Sequence, residues 1–170
     1  KTVEDSIIES GGVPVQSRVG HSYIQSKILF EGCEFGGEHS GHYFFKDNFG
    51  FDDGILASLR FASLVARYGL EKLTQDLSYY ITSDEIRIFC KDEEKFSIVE
   101  KIKSELNGVY EIIDLDGVKA KVGSGWFLIR ASNTIPALGI RWEAKTQDDF
   151  NKIKGIIQCS LAKYGLDTNW

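Results

Sequence analysis

Two stretches of this 170-residue chain gather side chains that could do chemistry. Residues 36–45 read GGEHSGHYFF, a carboxylate (Glu38), a hydroxyl (Ser40) and two imidazoles (His39, His42) set among glycines. Glycines let a backbone come close to a ligand, and these polar groups suit a loop that closes over something polar. Residues 130–134 read RASNT, one guanidinium, two hydroxyls and an amide in five positions. Arginine offers a bidentate fork, and hydroxyls with backbone N–H groups complete a ring around a phosphate dianion. Both stretches also have a plainer reading. Polar glycine loops serve as ordinary connectors, and Ser and Asn in a hairpin loop satisfy local backbone groups.

Other chemistries fit these residues less well. The three histidines, His21, His39 and His42, together with Glu38, raise the question of zinc. Glu38 and His42 stand four apart, but in a glycine loop and not on a helix, and no HExxH occurs. No metal ligand is therefore expected in this chain. A GxSxG elbow at Ser40 would need glycine where Glu38 stands. No GxxxxGK[ST] phosphate loop is present either.

Composition narrows the partners. A net charge of −5 argues against nucleic acid or an anionic membrane as a whole-surface partner. No apolar run approaches the roughly 18 residues of a membrane-spanning helix, and no signal-peptide pattern is read in its first residues. Cys33, Cys90 and Cys159 form no CxxC pair and sit among apolar neighbours, so they are expected to be reduced, mostly buried thiols of a reducing compartment. The chain starts with lysine and holds no methionine, from which we expect a fragment of something longer.

The elements that must position these groups follow from periodicity and punctuation. A helix over 3–9, stopped by Gly11-Gly12, leads to a buried strand over 13–16 and a polar turn over 17–21. Ser22 is expected to cap a helix to residue 30 with Ile24 and Ile28 on one face, before a strand over 33–35. This order predicts an α/β unit. Asp52 or Asp53 caps a helix to about residue 68, with Ile55, Leu59, Ala62 and Ala66 on one stripe. Residues 70–83 form the link.

Beyond it the pattern changes. A strand over 85–90 precedes a helix over 95–106 with Phe96, Val99, Ile102 and Leu106 inward. Runs at 110–115 and 118–122 flank Asp116-Gly117, a hairpin signal; Asp116 is given no further role. Runs at 126–130 and 138–142 read as strands. Thr146 caps a last helix to about residue 164, with Phe150, Ile153, Ile157 and Leu161 inward. The fold class expected is an α/β partial unit followed by a small α+β domain, a four-stranded antiparallel sheet with two helices. The boundary is expected between residues 1–75 and 76–170.

These motifs, taken together, resemble the α-D-phosphohexomutases. GGEHSGHYFF followed by FDDGILASLR is similar to the family's sugar-binding segment, whose signature is GE-x-SGH. RASNTIP is similar to its phosphate-binding loop near the C-terminus, and RVGHSYI and DLDGVKAKVGSGWFLIR also match in order. The likeness runs from about residue 11 to residue 161 and is closest to the bacterial phosphomannomutase/phosphoglucomutase branch.

The resemblance implies the later part of the third domain and the whole fourth domain of a four-domain cytoplasmic enzyme. In that family a phosphoserine donates its phosphoryl group to a hexose monophosphate. The glucose or mannose 1,6-bisphosphate so formed turns round and returns the other phosphate. Glu38 and Ser40 match the residues that hold two ring hydroxyls, with His42 in support. Arg130, Ser132, Asn133 and Thr134 match the clamp on the phosphate that is not transferred. His21 matches a histidine near the transferring phosphate. The implied partners are hexose phosphates and the N-terminal domains of the same protein. A non-catalytic phosphosugar-binding module that keeps the clamp is the alternative.

The departures are specific. Neither the family's serine loop nor its aspartate-rich Mg2+ loop is found here; Asp52-Asp53-Gly54 is read as a helix cap. These residues are therefore expected to be inactive alone. His39 stands where methionine is commoner, and Ile135 where an acidic residue or threonine is usual.

Overall fold

A computed structural model describes residues 1–170. The chain forms two compact units, Glu4–Ser78, and Tyr79–Trp170 together with Lys1–Val3. They are an α/β unit and a small α+β domain, as the sequence implies.

The chain opens with α1 (Thr2–Glu9), which ends where Gly11 adopts a positive φ. Residues 13–16 form no strand, contrary to expectation, and Val13 is 84% exposed. No neighbouring strand offers this run a hydrogen-bonded ladder, and without one it stays extended coil. The next helix, α2, spans His21–Phe30 and buries Ile24 and Ile28. Its N-cap is Gly20, not Ser22, and no side chain of the helix itself caps it.

A short hairpin follows. Its strands are β1 (Phe35–Gly37) and β2 (Tyr43–Phe45), paired antiparallel with Gly36 opposite Phe44. β1 thus starts two residues later than the expected strand at 33–35 and draws the glycines into the ladder. Gly36 is required there, because a Cβ would press on Ile24 and Ile28. Ile24, Ile28 and Phe44, with Cys33 against them, are the buried cluster of this unit.

After a single 3-10 turn (Lys46–Asn48), α3 runs over Gly54–Tyr68. Asp53 caps it, its carboxylate accepting the Leu56 N–H at 2.9 Å. The stripe of Ile55, Leu59, Ala62 and Ala66 lies exposed rather than packed, and no residue of α3 is buried. The two-stranded hairpin is too small a surface to cover a helix of four turns. A short α4 (Leu70–Thr74) lies within the expected link.

The second unit holds β3 (Ile81–Thr82), β4 (Ile86–Phe89), α5 (Lys95–Leu106), β5 (Glu111–Ile113), β6 (Val118–Val122), β7 (Gly125–Ala131), β8 (Ala137–Ala144) and α6 (Gln147–Ala162). Its sheet has six antiparallel strands rather than four, because β3 and β4 both pair with the long β8, at opposite ends. The order continues β8-β7-β6-β5. Alternation along β7 and β8 turns Phe127, Ile129, Leu138 and Ile140 into one core with Val99, Ile102 and Leu106 of α5 and Ile153, Ile157 and Leu161 of α6. Ile98 joins that core, and Phe96, expected inside, is 56% exposed. Thr146 caps α6 through the Asp149 N–H at 3.2 Å. The thiols also depart from expectation: Cys33 and Cys90 are half-buried and Cys159 is exposed.

Candidate functional site

Each unit carries one cluster of polar groups, and each is built by backbone pairing. In the first, the hairpin tip folds back through Glu38 N–H to the His42 carbonyl at 2.9 Å and Gly41 N–H to the Glu38 carbonyl at 3.0 Å. Gly41 sits at φ 89°, a conformation that suits glycine at the tip. The Glu38 carboxylate accepts the Gly20 N–H at 2.9 Å, just ahead of α2. A negative group is favoured at a helix start, so the hairpin does the capping expected of Ser22.

His21, first residue of α2, meets the hairpin edge to face. Its ring lies 4.4 Å from that of His42 and 5.6 Å from that of Phe44. His21, Glu38 and His42 are thereby brought together, each offering a donor atom within 4.8 Å of the others. Ser40 and His39 lie exposed on the tip outside that trio.

Asp52 completes the cluster, and sequence reasoning missed it by treating it as an alternative helix cap. Its Oδ2 lies 2.6 Å from His42 Nδ1 and 3.5 Å from His21 Nε2, while Oδ1 accepts the Tyr43 N–H at 3.1 Å. Desolvation pushes this carboxyl up, but the hydrogen bonds from His42 and Tyr43 and the charge of the two imidazoles outweigh it and hold its pKa below the ordinary carboxylate value. An ionised Asp52 only accepts, so His42 carries its proton on Nδ1 and turns Nε2 outward. The signal was present in the pair Asp52-Asp53: one helix N-terminus needs one cap, and the spare acid is available for other work.

In the second unit the loop between β7 and β8 holds the other cluster. The Ser132 N–H donates to the Ala137 carbonyl at 2.9 Å, and Ser132 Oγ accepts the N–H groups of Thr134 and Ile135 at 3.3 Å. The two hydroxyls of Ser132 and Thr134 stand 3.4 Å apart. Beneath the loop, the buried Lys95 ammonium bonds Asp92 at 2.7 Å and the Ile135 carbonyl at 3.3 Å, fixing the turn from below. A pocket of about 140 Å³ opens here, lined by Glu85, Arg87, Arg130, Ser132, Thr134 and Gly139 among others. Asn133 is exposed on the loop and does not line it.

Strand register explains the pocket. Gly139 of β8 is opposite Arg87 on one side and Arg130 on the other. Residues directly opposite share a face, so two arginines rise on either side of a position with no side chain. Arg130 is steered by Glu85 and Asp116, each 3.9 Å from its guanidinium, and Arg87 is held by Glu85 at 3.1 Å. Asp116, given no role from the sequence, is thus a neighbour of Arg130. Arg87 was also missed, although the alternation Ile86-Arg87-Ile88 already placed it on the outer face.

Both clusters lie in segments matched by known families. The model for phosphoglucomutase/phosphomannomutase, alpha/beta/alpha domain III, matches residues 1–82, and that for the phosphoglucomutase/phosphomannomutase C-terminal domain matches residues 85–157. The chain belongs to the phosphoglucomutase/phosphomannomutase family. It is 38% identical over 165 residues to a phosphomannomutase/phosphoglucomutase of Pseudomonas syringae, covering 95% of this chain and 36% of that protein. It is 36% identical over 153 residues to a phosphoglucomutase of Neisseria gonorrhoeae, covering 87% of this chain and 33% of that protein. A crystal structure of a phosphoglucomutase/phosphomannomutase family protein from Burkholderia thailandensis superposes with a TM-score of 0.82 at 28% identity, covering 94% of this chain and 34% of that one. The chain thus spans about a third of the length of the relatives it matches. No helix is long and apolar enough to cross a membrane.

Proposed function

We propose that these residues are the C-terminal part of a cytoplasmic phosphohexomutase that interconverts hexose 1- and 6-phosphates, with mannose and glucose as the sugars. Residues 1–75 are assigned to its third domain and 76–170 to its fourth. The observation that carries the reading is the pocket at the β7–β8 turn, where Arg130, Ser132 and Thr134 converge around a phosphate-sized space. Arg130 grips the phosphate that is not transferred, and the Ser132 and Thr134 hydroxyls complete its ring. Asn133 lies outside the pocket and is assigned to the same group only on the family resemblance. In the hairpin unit Glu38 and Ser40 accept and donate hydrogen bonds to ring hydroxyls. His42 presents Nε2 for a proton, with Asp52 holding its tautomer, and His21 stands beside it toward the reacting phosphate.

A substrate that binds both ways round needs this separation of tasks. One group of residues fixes a phosphate, and another reads hydroxyls that look alike from either end. The phosphoserine donor and the bisphosphorylated sugar belong to the reaction of the longer protein, and the 170 residues contain no aspartate-rich loop. Magnesium prefers an all-oxygen octahedron, and the donors gathered here are two imidazoles with one carboxylate, so the cluster does not fit that ion and no step is assigned to it.

Titration of the chain with glucose 1-phosphate and mannose 6-phosphate, followed by amide NMR, tests this reading. Saturable shifts in residues 130–135 that disappear in Arg130→Ala are expected. A folded chain that gives no shift up to millimolar ligand, or shifts that survive the substitution, would contradict it.

A further inference from the structure

We propose that His21, Glu38 and His42 form a binding site for a divalent transition metal, with Zn2+ the ion that suits it best. From the sequence no metal ligand was expected, because no helix carries an HExxH. The hairpin makes that requirement irrelevant by bringing the three residues together from α2 and the β1–β2 tip.

One ring nitrogen from each imidazole and one Glu38 oxygen lie within 4.8 Å of one another. Zinc bonds of about 2.0–2.2 Å in a tetrahedron set ligand atoms roughly 3.4 Å apart. Closing that gap takes about an ångström of side-chain movement at each ligand. His21 and His42 have room for it, their side chains being 57% and 40% exposed. Gly41, at the tip, has open space around it.

Two of the three ligands already have the outer partners that metal sites use. Metal-bound histidines commonly give their other ring N–H to a carboxylate, and bound carboxylates are themselves hydrogen-bonded. His42 Nδ1 meets Asp52 at 2.6 Å, leaving Nε2 for the ion. Glu38 Oε1 is taken by Gly20 N–H at 2.9 Å, leaving Oε2. Two imidazoles and one carboxylate form a borderline donor set that suits zinc over magnesium or calcium. Three protein ligands leave a fourth position open to water, the arrangement of an exchangeable site and not of a closed structural one. A bound ion would take Glu38 and His42 away from any sugar, so the site would act as an inhibitory one.

The experiment uses the chain with no sugar present, which keeps it separate from the phosphosugar reading. Zn2+ is titrated calorimetrically, and Co2+ is used as its visible probe. One saturable equivalent is expected, with d–d bands and no sulfur-to-metal charge-transfer band. His42→Gln and Glu38→Gln should each weaken binding more than tenfold. Asp52→Asn should weaken it by about tenfold, the scale of outer-partner effects, and His39→Gln should leave it unchanged. The amide spectrum of each variant checks that the hairpin survives. Absence of a saturable equivalent, a charge-transfer band placing the ion on a cysteine, or affinity indifferent to both His42→Gln and Glu38→Gln would overturn the proposal.

Discussion

The two units solve the same task, holding polar groups still, with very different amounts of core. In the second, eighteen buried residues from four strands and two helices lie behind the arginine pocket. In the first, Ile24, Ile28 and Phe44 are the whole buried cluster behind the histidine hairpin, and α3 beside it buries nothing. The β7–β8 loop therefore rests on a rigid sheet, whereas the hairpin depends on hydrogen bonds among its own polar groups. Under the proposed function, a clamp that holds one phosphate in both substrate orientations gains from rigidity. A sugar reader that accepts either end would gain from side chains with room to adjust.

The largest effect that would break this contrast lies in the cores. Phe127→Ala should cost about 3–5 kcal/mol and unfold the second unit, as urea denaturation followed by Trp fluorescence would report. Phe44→Ala should abolish the amide pattern of residues 20–50 while leaving that of 85–160 intact. Loss of both patterns in either variant would mean that the units do not fold separately. Gly125→Ala is comparably severe, because its Cβ would run into the Glu143 carbonyl and Ala144 across the ladder; a lowered melting temperature checks it.

Arginine substitutions sharpen the comparison at the clamp. Arg130→Ala should remove phosphate binding, and Arg87→Ala should weaken it by about tenfold or more, on the scale of ~1.5–3 kcal/mol for a hydrogen bond to a charged group. Isothermal titration with inorganic phosphate measures both. Equal affinity for Arg87→Ala and the parent chain would remove Arg87 from the clamp.

The smallest effect concerns pH. Tyr164 donates to Glu105 at 2.5 Å, and that bond, with desolvation and the carboxylate charge, pushes the phenol up to about 12. A raised folded pKa means the contact is fully present below the ordinary tyrosine value near 10 and is lost as pH climbs through 12. Ultraviolet titration should show one late tyrosine, which Glu105→Gln returns toward 10.

How far the sequence reaches follows the same contrast. Where a core decides, periodicity and caps are enough: the helix over 95–106, the Thr146 cap and the hairpin at Asp116-Gly117 lie where the pattern puts them. Where a partner surface decides, the pattern misleads. Val13 and the α3 stripe are apolar enough to predict burial, yet nothing in the unit covers them. At the two clusters, residue types single out His21, Glu38, His42, Arg130 and Ser132 as candidates. Asp52 and Arg87 stay hidden because their roles come from contacts ten and more residues away, through turn geometry and strand register that spacing does not encode. The extra strand pairing on β8 is hidden for the same reason.

The division of labour is tested most directly by mapping two ligands on one sample. Inorganic phosphate should shift only the amides of the β7–β8 loop and its neighbours on β4 and β8. Glucose 1-phosphate should shift those and, in addition, the hairpin residues 38–42. Identical maps for the two ligands, or a phosphate response centred on the hairpin, would contradict the assignment of phosphate to one cluster and sugar to the other.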